Sequence, residues 1–167
     1  SISVNDGAEQ SSISARAFVN CAGLYADSLA EKCGVDVAAL KLTQHWSKGN
    51  YYRAAGLPSS IVTHLIYPAP PKHAHTLGIH TVLDLQGELK FGPTSEYLKE
   101  RSEDDSQPKR CPDSVREAVA RYLPRANECE FVPDMSGIRA KLQGEQDDFR
   151  DFVILSTELG NSDGQIH

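Results

Sequence analysis

The chain has 167 residues, of which 40% are hydrophobic and 24% are charged, and its formal net charge at pH 7 is −6. These values are typical of a globular protein, and the length allows one domain or parts of two. The acidic balance argues against a nucleic-acid partner, and no apolar run is long enough to span a membrane. An anionic substrate therefore requires a local cluster of positive charge.

The cysteines and histidines predict neither a disulfide framework nor a metal site. None of the four cysteines is spaced as Cys-x-x-Cys, and we interpret them as reduced thiols in an intracellular compartment. His73 and His75 form a His-x-His pair, but no nearby Cys, Asp or Glu completes a ligand set. An exposed loop is the favoured interpretation of that pair.

The N-terminal segment predicts a β-hairpin followed by a helix. Residues 1–4 and 13–19 alternate in the manner of strands, on either side of a polar stretch that opens with Asn-Asp-Gly. The second strand passes through small residues into a helix over residues 24–33, which Gly34 ends.

The middle of the chain, from residue 40 to residue 93, predicts a series of strands. The candidates are residues 49–53, 64–67, 76–82 and 89–92. A tight hairpin at residues 84–87 joins the last two candidates, and the proline-rich stretch 68–71 separates the second from the third.

The C-terminal part predicts one further helix between irregular segments. Residues 96–112 are charged and interrupted by proline, so they are expected to form a loop. A helix follows and stops at Pro124, and short strands are expected at residues 130–132 and 151–155. Strands outnumber the two helices, which predicts an α+β fold rather than a regular βαβ array.

Five sequence phrases, taken in order, resemble a family of flavoproteins. They are VNCAGLYAD, SKGNYY, HLIYPAP, LGIHTVLDLQGELKFGPTSEY and MSGIRAKLQG. Their succession is similar to the D-amino-acid-oxidase superfamily of FAD-dependent oxidoreductases, and most similar to its L-2-hydroxyglutarate dehydrogenase branch. The resemblance covers nearly the whole chain. It implies FAD as cofactor, a small 2-hydroxy acid as substrate and oxidation of L-2-hydroxyglutarate to 2-oxoglutarate, and it leaves the electron acceptor open.

The same resemblance implies how the chain is organised. We expect a mainly antiparallel substrate-binding sheet with helices over residues 39–135. Residues 1–38 are expected to be part of a Rossmann-like FAD-binding domain, and residues 136–167 a return segment toward it. The family's Gly-x-Gly-x-x-Gly fingerprint and its C-terminal Gly-rich segment are absent from this sequence, so we expect a fragment. The eukaryotic members of the family indicate a mitochondrial location, with the cytoplasm as the alternative.

The resemblance assigns the chemistry to Arg139 and His80. A guanidinium holds a carboxylate with two parallel hydrogen bonds, and by resemblance Arg139 anchors the substrate 1-carboxylate over the flavin. Oxidation of a 2-hydroxy acid removes the hydroxyl proton while hydride leaves the α-carbon, and a neutral imidazole suits that base role. The alternatives are a structural salt bridge for Arg139 and a satisfied structural histidine for His80.

Other candidates follow from the same phrases. The further substrate-binding candidates are Lys48, Lys141 and Tyr67. Lys141 shares a face with Arg139 if the segment is a strand, although a solvated surface lysine is the alternative. Packing is the alternative for Tyr67, and for the neighbouring candidate Tyr51. The resemblance implies a cofactor-binding role for Asn20, Ala22, Gly23, Gly49 and Gly137.

Two other functions remain open at this point. An amine oxidase of the glycine- or D-amino-acid-oxidase type would use the same arginine but needs no base for a hydroxyl group. The second alternative is that the chain is a truncated fragment without catalytic activity. A substrate panel distinguishes the amine oxidase from a 2-hydroxy-acid oxidoreductase. Exposed apolar surface favours the fragment without catalytic activity.

Overall fold

The computed structural model describes residues 2–5, 7, 10–69 and 78–156. Two compact units divide the chain, and the boundary between them lies between Leu42 and Thr43, with the second unit running to Leu155. The predicted His-x-His pair at His73 and His75 lies outside the described residues. No helix in the described ranges is long and apolar enough to cross a membrane.

The first unit contains a hairpin and a short helix. Strand β1 (Ile2–Asn5) pairs antiparallel with β2 (Gln10–Ile13), which confirms the predicted hairpin. The second strand is Gln10–Ile13 rather than residues 13–19, so the predicted position of that strand is wrong, and only its first residue lies in the observed one. A 3-10 turn (Gly23–Tyr25) then leads into helix α1 (Ala26–Lys32).

The second unit contains a five-stranded sheet in which every pairing is antiparallel. Its strands are β3 (His45–Ala55), β4 (His80–Leu83), β5 (Leu89–Gly92), β6 (Glu96–Tyr97) and β7 (Glu130–Lys141). Strand β3 is the centre. Strand β7 pairs along one edge of β3, while β5 and β6 share the other edge and β4 extends the sheet beyond β5. The predicted antiparallel sheet is therefore confirmed.

One face of this sheet packs on helix α2 (Asp113–Ala120). Side chains alternate across a strand, so Tyr52 and Ala54 of β3 point to the same face, and both are buried. They join Phe91 of β5 and the fully buried Val115 and Val119 of α2 in one apolar cluster. Helix α2 confirms the helix predicted before Pro124. We call this side of the sheet the core face.

The opposite side of the sheet, here the open face, carries the polar residues of the same strands. Ser47, Gly49 and Tyr51 of β3 lie on it, directly across from residues 139, 137 and 135 of β7. His80 of β4 lies across from Gly92 of β5, next to Tyr51. The register of the strand pairing therefore decides which polar side chains lie next to one another on the open face.

A β-bulge in β7 keeps that register. The pairing with β3 shifts between Tyr51 and Tyr52, where Asp134 is the extra residue on β7. Lys90 of β5 holds the bulge, because its ammonium lies 2.7 Å from the Asp134 carboxylate and 3.1 Å from that of Asp84 in the β4–β5 turn. The carboxylate hydrogen bonds raise the pKa of Lys90.

Several predicted boundaries are wrong. Residues 64–67 form no strand, because the Ile66 N–H donates to the Thr81 hydroxyl instead of a backbone carbonyl. Strand β4 begins at His80, and residues 70–77 lie outside the described part. Residues 151–155 form no strand and are largely exposed.

The C-terminal segment is also organised differently from the prediction. A short strand was expected at residues 130–132 and a return segment from residue 136, whereas Glu130–Lys141 is one continuous strand. The proposed domain boundary after residue 135 therefore falls inside β7. The reason is physical: β7 pairs with β3 along its whole length, so residues 136–141 belong to the sheet.

Candidate active site

Two facing glycines lie at the candidate site, of which Gly137 is open and Gly49 is covered by Pro93. Gly49 of β3 and Gly137 of β7 are register partners on the open face. A Cβ atom at Gly49 would lie 2.9 Å from the Pro93 side chain, so packing requires glycine there. A Cβ atom at Gly137 would have no heavy atom within 4 Å, which leaves open space above its backbone. A ligand can therefore approach the main chain closely at this point.

Two cations stand at one end of the site. Arg139 and Lys141 are two residues apart on β7 and so share the open face. Among the described residues no carboxylate pairs with either of them. Partial burial, followed by the charge of Arg139, lowers the pKa of Lys141. The pair therefore forms a local cationic patch in a chain whose net charge is −6.

The neighbouring strand ends hold Lys141 in place. Its ammonium lies 4.8 Å from the centroid of the Tyr97 ring, and it donates to the Ser95 hydroxyl at 3.5 Å. The Ser95 hydroxyl lies 3.1 Å from that of Ser47, which is only 4% exposed. Ser47 is the register partner of both Arg139 and Tyr97, so these side chains form one row across three strands.

His80 stands at the other end of the site, in an aromatic cluster. It is 7% exposed, stacks on Tyr67 with 4.4 Å between ring centroids, and meets the edge of Tyr51 at 6.4 Å. Its Nδ1 lies 3.2 Å from the Gly78 carbonyl oxygen. A carbonyl oxygen only accepts, so Nδ1 carries the proton in this hydrogen bond.

Tyr51 lies between the two ends. Gly92 makes room for it, since a Cβ atom there would lie 2.6 Å from a Tyr51 ring carbon. Burial raises the pKa of the Tyr51 hydroxyl, the neighbouring Tyr67 raises it further, and the Arg139 charge lowers it. Tyr51 thus interacts electrostatically with Arg139 and through ring contact with His80.

The predicted site residues do not all meet. Arg139, Lys141, His80, Tyr67 and Gly137 belong to the open face or its rim. Lys48 lies on the opposite face of β3 because side chains alternate, and its ammonium donates to the Asp104 carbonyl at 2.8 Å. Lys48 therefore does not lie with the other substrate-binding candidates on the open face.

The cofactor-binding candidates of the first unit form a tight turn before α1. The Asn20 side chain accepts a hydrogen bond from the Ala22 N–H at 3.2 Å and donates to the Ala26 carbonyl at 2.7 Å. Gly23 has φ +57, in the left-handed region, with no heavy atom near its Cβ position. These contacts explain the local chain path, and the cofactor role of the three residues stays a prediction.

Sequence reasoning missed several polar residues of the open face. Ser47, Ser95 and Tyr97 lie inside the family phrases but were not singled out, and their proximity depends on the β3–β6 register. Period two along β3 places Ser47 and Tyr51 on one face, and that alternation was the available indication.

The comparisons with known proteins address the chain as a whole. The model of the family described as FAD dependent oxidoreductase matches residues 2–160. This chain belongs to that family. FAD is the cofactor that membership implies, and the predicted resemblance is confirmed.

Three proteins of similar sequence share the name L-2-hydroxyglutarate dehydrogenase. The mitochondrial L-2-hydroxyglutarate dehydrogenase of Arabidopsis thaliana is 32% identical over 160 residues, which covers 89% of this chain and 32% of the relative. The L-2-hydroxyglutarate dehydrogenases of Salmonella houtenae and Escherichia coli K12 are 35% and 32% identical, over 47% and 48% of this chain and 18% of each relative. The chain therefore spans about a third of the length of the plant relative it matches.

The residues present fit the flavin-ring side of an FAD site. The open backbone at Gly137 accepts a flat group at close range, which a Cβ atom would obstruct. The cations beside it suit an anionic substrate or a reduced ring. A Gly-rich phosphate loop is not part of the sequence.

Proposed function

We propose that this chain supplies the substrate side of an FAD-dependent oxidation of a 2-hydroxy acid, with L-2-hydroxyglutarate converted to 2-oxoglutarate. One observation carries the proposal: two cations without a described carboxylate partner share the open face with a buried histidine and the open backbone of Gly137. The names of the relatives support the choice of substrate.

Arg139 would bind and orient the substrate. Its guanidinium is exposed on the open face, where two parallel hydrogen bonds to the 1-carboxylate would fix the adjacent α-carbon. Lys141 would add positive charge beside it. Because neither cation pairs with a described carboxylate, no internal ion pair has to break before an anion binds.

His80 would take the hydroxyl proton at Nε2. Its hydrogen bond to the Gly78 carbonyl holds Nδ1 as the protonated nitrogen and stabilises the imidazolium once the proton arrives. Stacking on Tyr67 restricts the ring. Tyr51, between His80 and Arg139, would hold the substrate hydroxyl group.

FAD, when bound, accepts the hydride that leaves the α-carbon. On the sheet, the chain's own contribution to holding FAD would come from the open backbone at Gly137, since Pro93 covers Gly49. Asn20, Ala22 and Gly23 in the first unit are the remaining candidates.

The test combines binding with redox chemistry on the purified chain. Titration calorimetry should show saturable binding of L-2-hydroxyglutarate, and absence of binding would contradict the proposal. After addition of FAD and removal of the excess, retained flavin absorbance should be bleached anaerobically by L-2-hydroxyglutarate. Bleaching by glycine or D-alanine instead would establish the amine-oxidase alternative.

A further inference from the structure

We propose that Lys141, Ser95 and Ser47 form a second carboxylate subsite, which selects dicarboxylic 2-hydroxy acids over monocarboxylic ones. This inference rests on the proposed function and adds the determinant of substrate class. Arg139 would bind the carboxylate at the reacting end of the substrate, and Lys141 would bind the carboxylate at the distal end.

The spacing of the two cations suits such a substrate. Arg139 and Lys141 are separated by two residues of an extended strand, which corresponds to roughly 6.6 Å between their α-carbons. A five-carbon dicarboxylate holds its carboxylates at the ends of a four-bond chain of similar extent. One acid molecule can therefore meet both cations.

The Lys141 ammonium is held in place yet retains unused hydrogen-bonding capacity. An ammonium has three donors, and one of them reaches the Ser95 hydroxyl. The Tyr97 ring 4.8 Å away restrains the group without consuming a donor. The linked hydroxyls of Ser95 and Ser47 can turn a further O–H toward a carboxylate, and the short Ser47 side chain leaves room beside Arg139.

A bound anion would stabilise the Lys141 ammonium. Burial and the charge of Arg139 both lower the pKa of Lys141, so the ammonium is held against desolvation and like-charge repulsion. Glu145 and Asp147 act in the opposite sense on an anion, since their charges, after burial, raise the pKa of the nearby Tyr97 hydroxyl. A monocarboxylic acid on Arg139 leaves Lys141 without an anion, and a dicarboxylic acid supplies one.

The experiment compares two probes on the purified chain by titration calorimetry. L-2-hydroxyglutarate carries the second carboxylate, and L-2-hydroxybutyrate has the same reacting end without it. The unmodified chain should bind the dicarboxylate more tightly by about tenfold or more, the effect of one charge-assisted hydrogen bond. Lys141→Met should abolish this preference, and so weaken binding of L-2-hydroxyglutarate by a larger factor than binding of L-2-hydroxybutyrate.

Two further variants make the result decisive. Lys99→Met removes an exposed lysine with the same change of net charge, and it should keep the full preference. Ser95→Ala is a milder change at the subsite, and it should reduce the preference by several-fold even where Lys141→Met fails to fold. Circular dichroism checks the fold of each variant.

The outcomes separate the subsite from the proposed function. Equal affinity of the unmodified chain for both acids overturns the second subsite and leaves 2-hydroxy-acid binding intact. A loss in Lys141→Met that is the same for both acids, or no loss, also overturns it. Failure of the chain to bind either acid, or binding that Arg139→Met does not weaken, contradicts the proposed function itself.

Discussion

The two faces of the sheet are built from alternating residues of the same strands, yet packing explains the side chains of only one face. On the core face, Tyr52 and Phe91 are fully buried against α2, and packing explains each of them. On the open face, Arg139 and Lys141 have no described carboxylate partner. Residues that packing leaves unexplained are the ones to which chemistry can be assigned.

The largest expected effect is on the core face. Phe91→Ala should lower the free energy of unfolding by about 3–5 kcal/mol, because a fully buried aromatic ring leaves a cavity. Met135→Ala is the matched change on the open face, where Met135 is 46% exposed, and it should cost less than about 1 kcal/mol. Urea unfolding followed by circular dichroism measures both. Equal losses would mean that the open face is itself packed.

The reverse pattern is expected for Arg139. Arg139→Met should weaken binding of L-2-hydroxyglutarate by roughly 10- to 100-fold, the effect of a lost charge-assisted pair. Stability in urea should stay within about 0.5 kcal/mol, because Arg139 is exposed and makes no described ion pair. Arg139→Lys keeps the charge but not the forked arrangement of donors. Its affinity for L-2-hydroxyglutarate should therefore lie between those of the unmodified chain and Arg139→Met. A clear loss of stability with unchanged affinity would make Arg139 a structural residue.

The sequence predicted the elements better than their register. The β4–β5 hairpin and helix α2 have local causes, such as the turn at Gly87 with φ +79 and the apolar spacing of Val115 and Val119. Strand β7 was divided because Pro133 and Gly137 interrupt its pattern, and only pairing with β3 makes it continuous.

The candidate site shows the same limit. Family phrases marked Arg139 and His80, but local sequence does not decide that Lys48 points away from them. A one-residue change of register would exchange the faces of Lys48 and Ser47. The subsite around Lys141 likewise depends on long-range pairing, since Ser47 and Ser95 are 48 residues apart.

The pairing that fixes this register predicts a pH dependence of stability. Hydrogen bonding to Asp134 raises the pKa of Lys90 above its ordinary 10.5, with Asp84 adding to the effect and burial opposing it. The stabilisation should therefore be complete below pH 10.5 and lost as the pH rises through the raised pKa. Lys90→Met should lower stability near pH 8, and its difference from the unmodified chain should shrink as the pH rises through the raised pKa of Lys90, by about the amount the ion pairs contribute.

Urea unfolding at several pH values measures that difference. Lys99→Met, which removes an exposed lysine, is the control and should show no such dependence. A difference between Lys90→Met and the unmodified chain that stays constant from neutral to strongly alkaline pH would show that the ion pairs do not stabilise the bulge.

The smallest expected effect concerns a thiol at the edge of the core face. Burial raises the pKa of Cys111 to about 11, with Arg116 opposing the shift. At pH 8 only about one Cys111 thiol in a thousand is then ionised, and the thiolate is the reactive form. Cys21 is exposed and provides the internal reference. Iodoacetamide at pH 8, followed by mass spectrometry of the peptides, should label Cys21 well before Cys111.

Addition of urea sharpens the interpretation of that order. If the packing of the core face protects Cys111, its labelling should accelerate across the same urea range in which circular dichroism reports unfolding. Because Phe91→Ala weakens that packing, the variant should label Cys111 faster at a given urea concentration, whereas Met135→Ala should not. Equal labelling of both cysteines in native buffer would show that Cys111 is accessible, and the distinction between a closed core face and an open ligand face would then fail at this edge.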